Sequence, residues 1–300
     1  MAAPNKLNDQ QKIDIVEAYL KGKRSVELAK LYNVSPQAIL GLLKRRGIVA
    51  KGYKDATSHH TLDYNFFENI DTEEKAYFLG LLFADGNTSL YIPPNRKSPC
   101  YRLVLELQED DNFLVYKLKE VLNSTSIIKR HHKKSGYGKN NGRPSVRLTI
   151  YNKQIVTSLI NKGCIPAKSK VLEMPKGVPD NLIRHFVRGY TDGDGSFYLP
   201  KTIDKLTILN KTCWNITSST SFCKQLQMYL HKTLNLKTYL VSNKNNREYT
   251  SDLRLLGSRK SLTILLDWMY RDATIYMQRK YDKVQQFYQY QDYFVNQEGA

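Results

Sequence analysis

Two aspartates stand out by residue type and spacing. Asp85 closes the stretch Tyr77-Phe78-Leu79-Gly80-Leu81-Leu82-Phe83-Ala84-Asp85-Gly86. Asp194 closes Phe186-Val187-Arg188-Gly189-Tyr190-Thr191-Asp192-Gly193-Asp194-Gly195. Gly80 and Gly189 lie 109 positions apart, and so do Asp85 and Asp194. Each stretch is an apolar helical pattern with small residues four apart (Gly80 and Ala84, Gly189 and Gly193), ended by an acid and a glycine. Small residues on one face let two helix backbones approach closely. Two such helices packed back to back would set their carboxylates side by side, where like charges repel unless a cation holds both ionised. Oxygen ligands favour Mg²⁺, with Mn²⁺ as a substitute, and the expected metal residues are Asp85 and Asp194 with the adjoining Ala84 and Gly193. An EF-hand calcium loop starting at Asp192 is the weaker reading, because the position that needs Glu is Ile203.

Composition says what can carry such a pair. A chain of 300 residues with 41% hydrophobic residues can bury a large core. The net charge of +18, from 46 Lys and Arg against 28 acids, favours a polyanionic partner. Together with 21 tyrosines it points to nucleic acid, since long cationic surfaces gain affinity by counterion release. No apolar run is long enough to span a bilayer, so no membrane partner is expected. Cys100, Cys164, Cys213 and Cys223 lack zinc spacing and are expected as free thiols. With no secretory leader in view, an intracellular, cytoplasmic location is expected.

Residues 1–54 differ from the rest and read as three helices. Ile13, Val16 and Leu20 form the expected inward stripe of the first, and Leu28, Ala29 and Leu31 that of the second. Ser35 is placed as the N-cap of the third, with Pro36 at its first position and Ile39, Leu42 and Leu43 inward. The spacing Val26…Ala29…Val34…Ile39…Leu42 resembles a helix-turn-helix DNA-binding module. That resemblance implies base contacts from Ser35, Gln37 and Ala38 and phosphate contacts from Lys44, Arg45, Arg46 and Lys51. The segment's 11 basic and 4 acidic residues, a net +7, agree.

Residues 55–70 read as a linker. Asp71 is the expected cap of the first motif helix, with Glu74 three residues on. Alternation then marks strands. Cys100–Gln108 has Tyr101, Leu103, Leu105 and Leu107 on one face and Arg102, Glu106 and Gln108 on the other. Val146–Lys153 alternates in the same way. Helices are expected over 112–122 and 154–162, with a hairpin tip at 133–144. The order repeats after a connection carrying Pro166, Pro175 and Pro179, and an extra helix over about 275–295 closes the chain. The expected unit is α-β-β-α-β-β-α used twice, each half with one apolar sheet face and one polar, cationic face.

The two motif stretches resemble those of the LAGLIDADG homing endonucleases. In both, the Gly, the small residue, the Asp and the closing Gly fall correctly, although neither matches letter for letter. The resemblance extends to Asn69–Tyr77, to Pro166-Ala167-Lys168-Ser169 and to Gln278-Arg279-Lys280-Tyr281, and covers about residues 62–295. It implies an α+β fold of two pseudo-symmetric αββαββα repeats (71–165 and 166–300) forming a saddle on DNA, preceded by the all-α helix-turn-helix domain. It also implies a monomer that hydrolyses both strands of a double-stranded DNA site, one at each Asp. Polar residues near the scissile phosphates come from strand ends in such proteins, which nominates Gln108, Lys153 and Lys260. The counterpart of Gln108 in the second half is Thr217 or Ser218. Arg102, Arg147, Lys211, Asn215 and Arg254 are expected to read base edges. Lys129, Arg130, Lys133, Lys134, Lys139, Arg143, Lys244 and Arg247 are expected to meet phosphates. Two other readings fit the same scaffold. One is a maturase that binds group I intron RNA, and the other is a non-cleaving transcription regulator. Such regulators lose one acid, and both are present here.

Overall fold

The computed structural model describes residues 7–20, 23, 25–46, 48, 61–94, 98–134, 141–200, 211–242, 249–256 and 259–298. The chain forms two compact units, Met1–Thr61 and Leu62–Ala300. Residues 62–70, read from the sequence as linker, therefore belong to the second unit. Phe66, Phe67 and Ile70 are buried in its core, and the Asp63 N–H donates to the Leu122 carbonyl at 2.8 Å. Apolar residues close together in a polar stretch are what a core recruits.

The first unit packs α1 (Asp9–Leu20), α2 (Ser25–Leu31) and α3 (Pro36–Arg45) around Ile15, Tyr19, Leu28, Ala29, Ile39, Leu42 and Leu43. Ser35 caps α3 as its type suggested, its Oγ accepting from the Ala38 N–H at 3.2 Å. The turn before it places Asn33 at φ 51°, a left-handed conformation that Asn tolerates. The inward stripe of α1 differs from the expected one, since Ile15 and Tyr19 are buried while Ile13 and Leu20 are exposed. Helix α1 carries apolar residues on two overlapping faces, and its neighbours select one. Leu31 is also exposed.

The second unit contains the duplicated unit. Its first half runs α4 (Glu73–Ala84), β1 (Gly86–Tyr91), β2 (Cys100–Gln108), α5 (Asn112–Val121), β3 (Lys129–Lys134), β4 (Asn141–Ile150) and α6 (Lys153–Lys162). Its second half runs α7 (Asp180–Asp194), β5 (Gly195–Tyr198), β6 (Cys213–Ser219), α8 (Thr220–Leu234), β7 (Tyr239–Ser242), β8 (Thr250–Leu256) and α9 (Arg259–Tyr270). Helix α10 (Gln278–Glu298) follows. Each half has a four-stranded antiparallel sheet, ordered β1-β2-β4-β3 and β5-β6-β8-β7. Thr72, not Asp71, caps α4, its hydroxyl accepting from the Lys75 N–H at 3.3 Å.

Helix α4 is buried along almost its whole length, as its all-round apolarity requires. It packs chiefly on α7, and glycine permits the closeness. A Cβ on Gly80 would overlap the Phe186 carbonyl oxygen and lie 2.8 Å from the Tyr190 nitrogen. A Cβ on Gly189 would overlap the Tyr77 carbonyl oxygen and lie 3.0 Å from the Leu81 nitrogen. The obstructing atoms are backbone, so neither position accepts a side chain without parting the helices.

Candidate active site

The crossing of α4 and α7 delivers the two acids together. Asp85 is the C-terminal cap of α4 and Asp194 the last residue of α7. Gly193 lies against Asp85, so that a Cβ on it would stand 3.0 Å from Asp85 Oδ2. Both residues are exposed as a whole, yet protein crowds around their carboxylates. That crowding, reinforced by the charge of Asp194, pushes the Asp85 carboxyl up to about 6. Crowding also raises Asp194. Two acids that resist ionising next to each other form a site short of positive charge, which fits a divalent cation. Among the described residues no third His, Cys, Asp or Glu joins them. A cation held here would rest on two carboxylates and oxygens from backbone or ligand, a donor set that suits Mg²⁺.

Two lysines reach the same floor. Lys168, in the short turn Lys168–Lys170, donates to the Gly86 carbonyl. Lys280, in the first turn of α10, donates to the carbonyls of Thr191 (2.7 Å), Asp192 (2.6 Å) and Gly195 (2.6 Å) and lies 3.4 Å from that of Gly193. Gly86 and Gly195 are the matched residues after the two acids, so each helix ends under one ammonium group. A cation is favoured there by the helix dipole. Both lysines act against the rise of the Asp85 and Asp194 pKa values. Burial pushes Lys280 down to about 8.

The nominated Lys153 and Lys260 lie elsewhere. Lys153 is an exposed first residue of α6, 5.9 Å from the centre of the Tyr101 ring, and Lys260 is exposed in the first turn of α9. Counting along strands pointed to lysines after the last strand of each half, whereas the site draws on the segments that follow the third helix. The signal was available in Pro166–Ser169 and Gln278–Tyr281, which carried part of the resemblance.

Strand register refines the other expectations. Gly86 pairs with Leu105 and Gly195 with Ile216, which makes Ser219, rather than Thr217 or Ser218, the counterpart of Gln108. Ser219 is buried and caps α8, its Oγ accepting from the Phe222 N–H at 3.0 Å. Gln108 is exposed at the strand end, with Arg143 Nη1 donating to it at 3.5 Å. The polar residue nearest the helix end in register is Glu106, which sequence reasoning passed over.

Arg147 donates to Glu106 through Nε (2.9 Å) and Nη2 (2.5 Å). In the second half Arg254 Nη2 donates to Asp252 at 2.8 Å, and Thr217 donates to the same acid at 2.8 Å. Arg102 donates to Ser89 Oγ at 3.0 Å. Three expected base readers are therefore already held by neighbours. Asn215 keeps a buried Oδ1 without a partner. Lys211 is exposed just before β6, and Arg130 is paired with Glu109 at 2.6 Å. Lys51, Lys139, Lys244 and Arg247 lie outside the described residues. In the first unit Gln37 and Ala38 border one concave face with Ser35 and Arg45, while Lys44, Arg45 and Arg46 are exposed.

Fold and site together define a two-repeat scaffold with paired carboxylates at a glycine-locked helix crossing. Solved structures similar to it are LAGLIDADG nucleases. The chain is 14% identical to the meganuclease I-AabMI bound to uncleaved DNA, with a TM-score of 0.49, covering 74% of this chain and 91% of that one. For I-LtrWI bound to target DNA the identity is 14% and the TM-score 0.49, covering 75% and 91%. For mesophilic variants of I-DmoI the values are 15% and 0.44, covering 67% and 97%. In sequence, 159 residues are 23% identical to the DNA-directed RNA polymerase subunit Rpo1C of Methanocaldococcus jannaschii, covering 53% of this chain and only 16% of that protein. No family model matches the chain. Among the described residues no helix is long and apolar enough to cross a membrane.

Proposed function

We propose that the chain is a monomeric, site-specific double-strand DNA endonuclease of the LAGLIDADG homing type, dependent on Mg²⁺ with Mn²⁺ as a substitute. One observation carries the reading: Asp85 and Asp194 meet at the crossing of two matched helices, with one lysine on each helix end. Asp85 and Asp194, with the Ala84 and Gly193 carbonyls nearby, would hold the cation. When bound, it lowers the pKa of an attacking water and neutralises the leaving oxygen of a phosphodiester. Lys168 and Lys280 add fixed positive charge where the phosphate develops charge. Gln108 meets DNA at its strand end, and Lys153 and Lys260 meet DNA away from this centre. Arg102, Arg147, Lys211, Asn215 and Arg254 read base edges from the polar sheet faces, and Arg143 meets phosphate. The first unit adds a helix-turn-helix contact through Ser35 and Gln37, with Lys44, Arg45 and Arg46 on phosphates.

The test begins with duplexes selected by binding from a randomised pool without divalent cation. Mg²⁺ is then added and each strand is followed. Both strands should be cut. Asp85→Asn and Asp194→Asn should each abolish double-strand cleavage while the duplex still binds. Full cutting by both variants would show that the acids are not the metal site. Tight binding of structured RNA, with no cutting of any duplex, would favour the maturase.

A further inference from the structure

The second motif helix carries a carboxylate that the site does not use. Asp192 is fully buried, and its matched position in α4 is Phe83. A buried acid is costly unless its oxygens are satisfied, and here they are. Tyr77 OH donates to Asp192 Oδ2 at 2.8 Å, and Tyr270 OH donates to Oδ1 at 3.1 Å. The Met277 N–H donates to Oδ2 at 2.8 Å. Met277 directly precedes α10, so Asp192 places a negative charge at the positive end of that helix. The next turn carries Lys280, whose Nζ returns to the end of α7, and Arg279, whose Nε donates to both oxygens of Asp111 at 3.1 Å. The first turn of α10 is thus pinned to α7 by a carboxylate on one side and an ammonium on the other.

The first half secures its lysine differently. Phe83 lies against Gly163, and Thr88 Oγ1 donates to the Cys164 carbonyl at 2.9 Å, holding the segment that leads to Lys168. Asp192 is not part of that attachment.

Building on the nuclease reading above, we propose that Asp192 is a positioning residue for Lys280 and thereby controls the cutting of one DNA strand and not the other. The two halves would share a metal centre but depend on unlike supports for their lysines.

The experiment follows each strand of the selected duplex under single turnover, for the wild type and for Asp192→Asn. The substitution keeps the shape and removes the charge that holds the Met277 N–H. One strand should slow by about 10- to 100-fold, as expected for a reacting group displaced by a fraction of an ångström. The other strand and the affinity should stay within about twofold, and nicked duplex should accumulate. Reactions are run well below the melting temperature of each variant. Because the buried site makes folding of Asp192→Asn demanding, Tyr270→Phe provides a second variant. It removes one hydrogen bond, leaves the Met277 anchor, and should slow the same strand by less. In a Lys280→Ala background Asp192→Asn should add nothing to the strand difference, since it acts through that lysine. Equal slowing of both strands, slowing of neither, or an additive effect in the Lys280→Ala background would overturn the proposal and leave the nuclease reading intact. A wild-type protein that cuts no duplex overturns both.

Discussion

Asp85 and Asp194 repel each other, and this sets a pH dependence. The folded Asp85 pKa of about 6 lies above its ordinary 3.8, so the folded form holds the proton more tightly. Metal-free stability should therefore fall as pH rises from about 4 to 6 and level off above that. Asp85→Asn should reduce the slope, leaving the part due to Asp194, and stabilise the metal-free protein at pH 7 by about 0.5–1 kcal/mol, allowing for screening by solvent. Thermal melts of both proteins across this range test it, and a lower melting temperature for the variant at pH 7 would contradict it. His185 works in the opposite sense. Burial, with Arg188 Nη1 donating to its Nδ1 at 2.9 Å, pushes its pKa down to about 4 from 6.5. Its contribution is complete above pH 6.5 and is lost as pH falls towards 4. His185→Gln should flatten the acid limb of the stability profile by about 2 kcal/mol. An unchanged acid limb would show that His185 is not the titrating group.

Glycine decides what the motif helices can do. Gly80→Ala and Gly189→Ala each drive a methyl into backbone of the facing helix, and each should destabilise the second unit by about 3 kcal/mol. Denaturant melts measure this, and a change within experimental error would mean that the helices part at little cost. Gly193→Ala tests a different property of the same helix. Its methyl would overlap the Ala84 Cβ, 2.3 Å away, and stand 3.0 Å from the Asp85 carboxylate, so Ala84 and Asp85 must shift. Cleavage should therefore fall by about tenfold or more while the fold remains, because the displaced group belongs to the centre itself. Normal cleavage by this variant would show that Asp85 tolerates the shift.

At the scale of the whole chain, two separate cores imply separate unfolding. Among the described residues the first unit is built on seven buried ones from Ile15 to Leu43, and the second on one continuous core from Phe66 to Phe287. Calorimetry should resolve two transitions, the smaller belonging to Met1–Thr61. A single cooperative transition would show that the units stabilise each other. The charge of +18 is also a property of the whole, and duplex affinity should fall steeply with salt, as phosphate contacts require.

The sequence alone determined the duplicated order of elements, the two glycine-bearing helices and the paired acids. These rest on local rules: small residues four apart, period-two alternation and caps such as Ser35. It also held the stretches containing Lys168 and Lys280 without revealing their role. Only the tertiary structure brought those lysines to the ends of α4 and α7, because Lys280 is more than 80 positions from the carbonyls it caps. The hydrogen-bond ladder likewise made Ser219 the counterpart of Gln108 and set Glu106 and Asp252 against arginines expected to read base edges. Register and long-range contact depend on which faces the assembled core buries, and that choice cannot be read from any one segment.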